Sequence, residues 1–314
     1  MNGITMGSNR KEFLKQLGYL SAGSLLLPGM AKANSSNMGN DLFFDISLAQ
    51  WSLHKELFAG KLTHLDFPAT AKNDFGIDAV EYVNRFFADK VQDKSYLNEM
   101  NNRCRDLDVN QVLIMVDGEG GLAVLDDKKR NEAVKNHFKW VEAAEHLGCH
   151  SIRVNAYGEG TREETMDAAV DGLSWLSEFA SDYGVGIIVE NHGGYSSDGK
   201  WLAGVMEQVS MENCGTLPDF GTSNFTISEG NVYDRYKGVK EMMPYAKGVS
   251  AKSYAFNEDG YEKSIDYTRM LNIVKNAGFT GYIGVEYEGN ELSEREGIMK
   301  TKNLLTMVGQ EITK

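Results

Sequence analysis

Residues 128–155 read KKRNEAVKNHFKWVEAAEHLGCHSIRVN. Ala133, Val134, His137, Trp140, Val141 and Ala144 recur at steps of one, three and four, which draws one apolar stripe along a helix over 128–147. Gly148 follows where a left-handed cap closes such a helix. Two residues later the pattern changes to a short strand, Ser151–Asn155. Residues 163–190 repeat the arrangement: a helix over 163–183, then Gly184, then the strand Gly186–Glu190. A helix that runs through a short joint into a short apolar strand is the building unit of a parallel sheet with helical crossovers.

Extended outward, the same alternation covers the chain from residue 42. Strand-like runs fall at Leu42–Ala49, Ile77–Val83, Gln111–Val116, Ser151–Asn155, Gly186–Glu190, Cys214–Asp219, Gly248–Lys252 and Tyr282–Glu286, with no linker that would divide them. Eight strands in roughly 270 residues predict an α/β fold, a closed (β/α)8 or TIM barrel over 41–314. The structural rival is an open doubly wound sheet, but no G-x-G-x-x-G follows the first strand.

The first residues have a different grammar. Residues 9–33, NRKEFLKQLGYLSAGSLLLPGMAKA, have a basic start, an apolar run too short to span a bilayer, and an Ala-Lys-Ala triplet. Residues 1–33 are therefore expected to be an export signal cleaved near Ala33, and NSSNMGN over 34–40 a flexible joint. RKEFLK is similar to a twin-arginine signal, with Lys11 in the second arginine's place. The expected location is the periplasm, with no membrane attachment after cleavage. The whole chain carries −13, and removal of the leader would leave −16 on 281 residues. That charge repels a phosphate backbone, so nucleic acid is excluded as a partner. Three scattered cysteines, 104, 149 and 214, contain no CxxC and read as buried hydrophobes.

A parallel barrel places its chemistry at the carboxyl ends of its strands. Those ends carry Trp51 and His54, Glu81, Asp117, Arg153 with Asn155, Glu190 with His192, Asp219, Ser250 with Lys252, and Glu286 with Glu288. Glu190, Asp219 and Glu286 cannot share a buried site as bare anions, so protons, a cation or Lys252 must relieve their repulsion.

The segments IIVENHGG (187–194), GTLPDFG (215–221) and GYIGVEYEG (281–289) resemble the sugar isomerase/epimerase superfamily, the xylose isomerase-like TIM barrels. The resemblance spans nearly all of 42–310. In the epimerase branch it implies a divalent metal held by a Glu, an Asp, a His and a Glu on strands five to eight, with the two Glu moving the substrate proton. Glu190, Asp219 and Glu286 match three of these. Ser250 stands where the histidine belongs, and no histidine follows His192. A cation held by three carboxylates and water is an all-oxygen set favouring Mg²⁺ or Mn²⁺ over Zn²⁺. The other possibility is that Lys252 supplies the positive charge and no metal binds.

The implied activity is sugar isomerisation or epimerisation by proton abstraction alpha to a carbonyl. Glu190 and Glu286 would be acid and base, and the metal or Lys252 would receive the enediolate oxygen. The same abstraction also begins lyase, dehydratase or hydratase chemistry on a keto-sugar. From another class, a non-catalytic carbohydrate-binding barrel is the alternative. Trp51, His54, Glu81, Arg153, Asn155, His192, Tyr254 and Glu288 are candidates for holding a small carbohydrate substrate, each having ordinary packing or solvation as its plainer role. A homo-oligomer is compatible with the sequence. His64, His137, His146 and His150 lie on helical or connecting segments and read as structural.

Overall fold

A computed structural model describes residues 42–313. The leader and joint expected over residues 1–40 lie outside the described residues. Eight parallel strands form the sheet: β1 (Asp45–Ala49), β2 (Ala79–Val83), β3 (Asn110–Met115), β4 (Ser151–Asn155), β5 (Gly186–Glu190), β6 (Cys214–Leu217), β7 (Val249–Ser253) and β8 (Tyr282–Tyr287). Their order is β6-β5-β4-β3-β2-β1-β8-β7, each neighbour parallel. The two end strands meet as well. Lys247 N–H donates to Thr216 O at 3.0 Å, Ser250 N–H to Pro218 O at 3.0 Å, and Phe220 N–H to Ser250 O at 3.1 Å. The sheet is thus a closed (β/α)8 barrel, as the strand count predicts.

Outside it run α1 (Phe67–Phe75), α2 (Lys94–Leu107), α3 (Asp127–Leu147), α4 (Arg162–Ser181), α5 (Gly199–Val209), α6 (Arg235–Met242), α7 (Tyr267–Asn276) and α8 (Glu294–Thr313). Helix α3 buries the stripe read from its sequence, with Trp140, Val141 and Ala144 fully enclosed, and Gly148 closes it at φ 72°. Helix α4 begins with a capping box in which Thr161 and Glu164 satisfy each other's backbone N–H. Strands alternate faces. Ala49, Ala79, Val83, Leu113, Met115, Ile188 and Leu217 pack together as one core cluster, while Leu48, Val80, Ile114, Ile152, Val189 and Val285 on the alternate positions are equally buried.

The three cysteines are buried and unpaired. Among the described residues, no helix is long and apolar enough to cross a membrane. The strand boundaries differ from the sequence reading chiefly at their starts: residues 42–44 and 77–78 precede their strands. Their apolar members Phe44 and Ile77 are buried nonetheless, which is why hydrophobicity alone reads them as strand.

Helix α8 lies hard against β8 at Gly297, where a Cβ would come within 2.2 Å of the Tyr287 ring. At an exposed helical site, Gly→Ala stabilises by about 1 kcal/mol. At Gly297 the sign should reverse, with Gly297→Ala costing about 1–3 kcal/mol through overpacking, read as a lower urea midpoint.

Candidate active site

The strand ends converge as the barrel geometry requires. Alternation points Arg153 and Asn155 of β4, Glu190 of β5, Ser250 and Lys252 of β7, and Glu286 of β8 inward, and Asp219 follows β6. Arg153, Glu190, Asp219, Lys252 and Glu286 are all at most 5% exposed. Such burial is tolerable only where opposite charges and hydrogen bonds surround each group.

Two cations organise these anions. The Arg153 guanidinium touches Glu190, with Nε 2.8 Å from Oε2, and Nη1 donates to Asp117 Oδ1 at 2.7 Å. The Nε contact is an ion pair whose direction does not suit a hydrogen bond. Asn155 Nδ2 reaches the same Asp117 oxygen at 2.7 Å, and Asn224 Nδ2 donates to Glu190 Oε1 at 3.0 Å. The Lys252 ammonium lies 3.1 Å from Asp219 Oδ2, 3.4 Å from Glu286 Oε1 and 3.6 Å from Glu288 Oε2. Lys252 and Glu286 are register partners on adjacent strands. Ser250 Oγ donates to Glu286 Oε2 at 2.6 Å, and Gly221 N–H to Asp219 Oδ1. Asn191 joins β5 to β6: its Oδ1 accepts from Asp219 N–H at 2.8 Å and its Nδ2 donates to Asp219 O at 3.1 Å.

This environment divides the carboxyls. Burial works against the Glu190 anion, but Arg153, His192 and Lys252 outweigh it and hold the carboxyl below its ordinary value. Burial pushes Glu286 and Asp219 up despite Lys252 beside them. Lys252 and Arg153 lose solvent too, yet the surrounding carboxylates raise both and keep them charged. Asp117 is also held down, at about 2, because Arg153 and Asn155 overcome its partial burial. Opposed shifts of paired carboxyls are how one site keeps a base ionised and an acid protonated.

Below this layer, Glu81 accepts from Ser47 Oγ at 2.5 Å through Oε1, and its buried Oε2 has no partner. Gly284 makes room for it, since a Cβ there would lie 2.8 Å from both Glu81 oxygens. Glu81 thus belongs to the barrel interior. At the rim, Trp51 stacks on His54 with ring centroids 4.8 Å apart and meets Phe86 and Phe58 at 6.3 and 6.1 Å. His54 Nδ1 is engaged with Trp51 O at 2.7 Å. Tyr254 is half-buried, its hydroxyl 3.4 Å from Ser223 Oγ, and burial pushes it up to about 12. Behind it, the buried Glu262 accepts backbone N–H bonds from Tyr254, Ala255, Ser264 and Ile265 and so fixes the loop after β7. His192 is exposed on the loop after β5, and Glu288 is half-buried at the rim.

The expected chelate is not assembled. Among the described residues, no group of three or more His, Cys, Asp or Glu side chains is arranged to hold a metal ion. Arg153 and Asn224 engage Glu190, and Lys252 with Ser250 and Gly221 engages Glu286 and Asp219, so the three carboxylates do not turn free lone pairs towards one point. The residues present do not fit a resident divalent ion. Two contributors missed by the sequence reading are Asn224 and Ser47. Asn224 sits in the polar run TSN after Asp219, a signal that a strand-six loop returns to the site, whereas Ser47 had none beyond its inward position.

Fold and site together define a parallel α/β barrel whose strand mouths surround a buried cluster of acids and cations. Residues 69–305 match the model of the xylose isomerase-like TIM barrel family, and the chain belongs to that family. No curated protein matches it by sequence. Among solved structures it is similar to the IolI protein with a binding zinc atom, at 17% identity and TM-score 0.64 over 85% of this chain and 99% of that one. It is also similar to an L-ribulose 3-epimerase, at 15% identity and TM-score 0.65 over 86% and 95%. A third is a xylose isomerase-like TIM barrel protein from Mycobacterium smegmatis in complex with magnesium, at 13% identity and TM-score 0.63 over 85% and 97%.

Burial raises Glu81 from 4.5 to about 8, against the Ser47 hydrogen bond. Between those values the unfolded chain has released a proton that the folded chain still holds, so stability falls as pH rises through the window and levels off above it. Between pH 5 and pH 8 the urea midpoint of the wild type should therefore fall further, or rise less, than that of Glu81→Gln, the other shifted groups being common to both. An unchanged slope in the variant would show Glu81 ionised in the fold.

Proposed function

We propose that the protein is a sugar isomerase/epimerase that removes and returns a proton alpha to a carbonyl. The observation that carries this reading is the opposed tuning of Glu190 and Glu286 beside the Arg153 and Lys252 cations. Membership of the xylose isomerase-like family and the fold shared with an L-ribulose 3-epimerase support the carbohydrate substrate.

In this mechanism the sugar enters at the strand mouths. Asn155 and Arg153 offer donors to its hydroxyls, and Trp51 with Phe86 offers a flat apolar face to its C–H surface. Ionised Glu190 takes the proton from the carbon beside the carbonyl. The C–H electron pair becomes the C=C bond of an enediolate, and the carbonyl pair moves onto oxygen, where a fixed positive charge stabilises it. Protonated Glu286 then delivers its proton to the opposite face of the same carbon, giving the epimer, or to the adjacent carbon while the hydroxyl proton of the first carbon passes to the former carbonyl oxygen, giving the isomer. Arg153 keeps Glu190 ionised between turnovers. The loop after β7, fastened by Glu262, holds Tyr254 at the rim. Action on free sugars in the periplasm, after export, completes the proposal.

The experiment is a panel of keto-sugars in deuterated water, followed by NMR. Deuterium should enter at the carbon next to the carbonyl, and Glu190→Gln and Glu286→Gln should each lower the rate about 10²–10⁴-fold. The rate should fall at low pH as Glu190 is protonated and at high pH as Glu286 ionises. Near-normal exchange in both variants, or no exchange with any sugar, sinks the reading.

A further inference from the structure

The cation of this site is built into the chain. Lys252 is 2% exposed, and three structural features fix its position. Its backbone carbonyl accepts from Tyr267 Oη at 2.8 Å, which ties β7 to α7. Its stem passes Gly221, where a Cβ would lie 2.7 Å from Lys252 Cδ, so a side chain at 221 would block the path. Its ammonium then ends among carboxylate oxygens from after β6 and from β8, at 3.1, 3.4 and 3.6 Å. Asp219 Oδ2, fully buried, has no hydrogen-bond partner among the described residues and lies 3.1 Å from this charge.

Beside it, Ser250 lies where the family resemblance places a metal-binding histidine. Its hydroxyl donates to Glu286, a role that occupies one carboxylate oxygen. A divalent ion would have to take the oxygens that face Lys252, Asp219 Oδ2 and Glu286 Oε1, and so displace the ammonium from them. It would also sit next to a buried ammonium, where like charges at such range in low dielectric repel strongly. Glu190, which a chelate would share, is held by Arg153 and Asn224 instead.

We propose that Lys252 stands in the place of a divalent cation, so that the site works without a resident metal and the ammonium itself receives the substrate oxygen. The last clause rests on the isomerase reading, whereas the first does not. When the sugar binds, its carbonyl oxygen takes one of the Lys252 N–H directions now turned to the carboxylates. The enediolate oxygen is then stabilised by a charge that needs no loading step.

Binding of Mn²⁺ alone to the purified full chain, followed by loss of the free-ion electron paramagnetic resonance signal, tests the first clause. The wild type should leave that signal unchanged. Lys252→Met, which frees the carboxylates, should bind Mn²⁺ about tenfold more tightly or better, and Lys252→Arg, which keeps the cation, should behave as wild type. Circular dichroism melting of each variant shows that it is folded. Stoichiometric Mn²⁺ binding by the wild type, weakened by Asp219→Asn, would overturn the proposal. So would failure of a folded Lys252→Met to bind, because the lysine would then not be standing in a cation's place. The second clause predicts deuterium exchange that survives EDTA and is lost in Lys252→Met. If no sugar exchanges, the isomerase reading fails alone, and the Mn²⁺ titration still decides the cation's identity.

Discussion

The Lys252 ammonium shared between Asp219 and Glu286 is the contact on which the site depends. An unpaired carboxylate buried this deeply would cost several kcal/mol, and removing one member of such a pair typically costs about 3–5 kcal/mol. The strands bearing the three groups are also the ones that complete the barrel. Asp219 follows β6 and bridges to Ser250 on β7, and Glu286 is in register with Lys252 from β8. The charge cluster therefore lies across the seam where the sheet closes. The charge cluster and the closure share the same few residues.

Arg153 does the corresponding work on the other side of the mouth. It links Glu190 to Asp117, and Asn84 exchanges hydrogen bonds with the Asp117 backbone, N–H and carbonyl alike. Strands β2 to β5 are thus joined at their ends by one guanidinium and three polar side chains. The two halves of the mouth differ in kind. Around Glu190 the cation is close and multiply directed, so the anion persists. Around Glu286 the single ammonium is divided among several acids, so a proton can stay. The distribution of two positive charges thus shifts two like carboxyls in opposite directions, without any difference in the carboxyls themselves.

Much of this was legible in the sequence, because strand periodicity and the parallel-barrel rule together place inward polar residues at one rim. Glu190, Asp219, Lys252 and Glu286 are found together for that reason. What sequence could not supply was direction. Nothing in KGVSAKSY says that the lysine reaches between two acids rather than out to solvent, or that Ser250 spends its hydroxyl on Glu286. The sequence leaves a chelate of three carboxylates and a Lys252 counter-charge both open, and the positions of Arg153 and Lys252 are what distinguish the three acids. Glu81 shows the same limit. Its inward register was readable, but its depth follows from Gly284, far away in sequence yet alongside in space. The Nδ1 of His54 is bonded to the backbone of Trp51, a local contact that periodicity does not report.

Gly221 is a point where three independent needs meet. The Asp219 carboxyl, the Lys252 stem and the Tyr254 hydroxyl would each lie 2.7 Å from a Cβ at that position. A single methyl added at 221 would therefore press on an acid, a cation's stem and a rim hydroxyl at once, so the mouth of the barrel is crowded from three elements at a position that carries no side chain of its own.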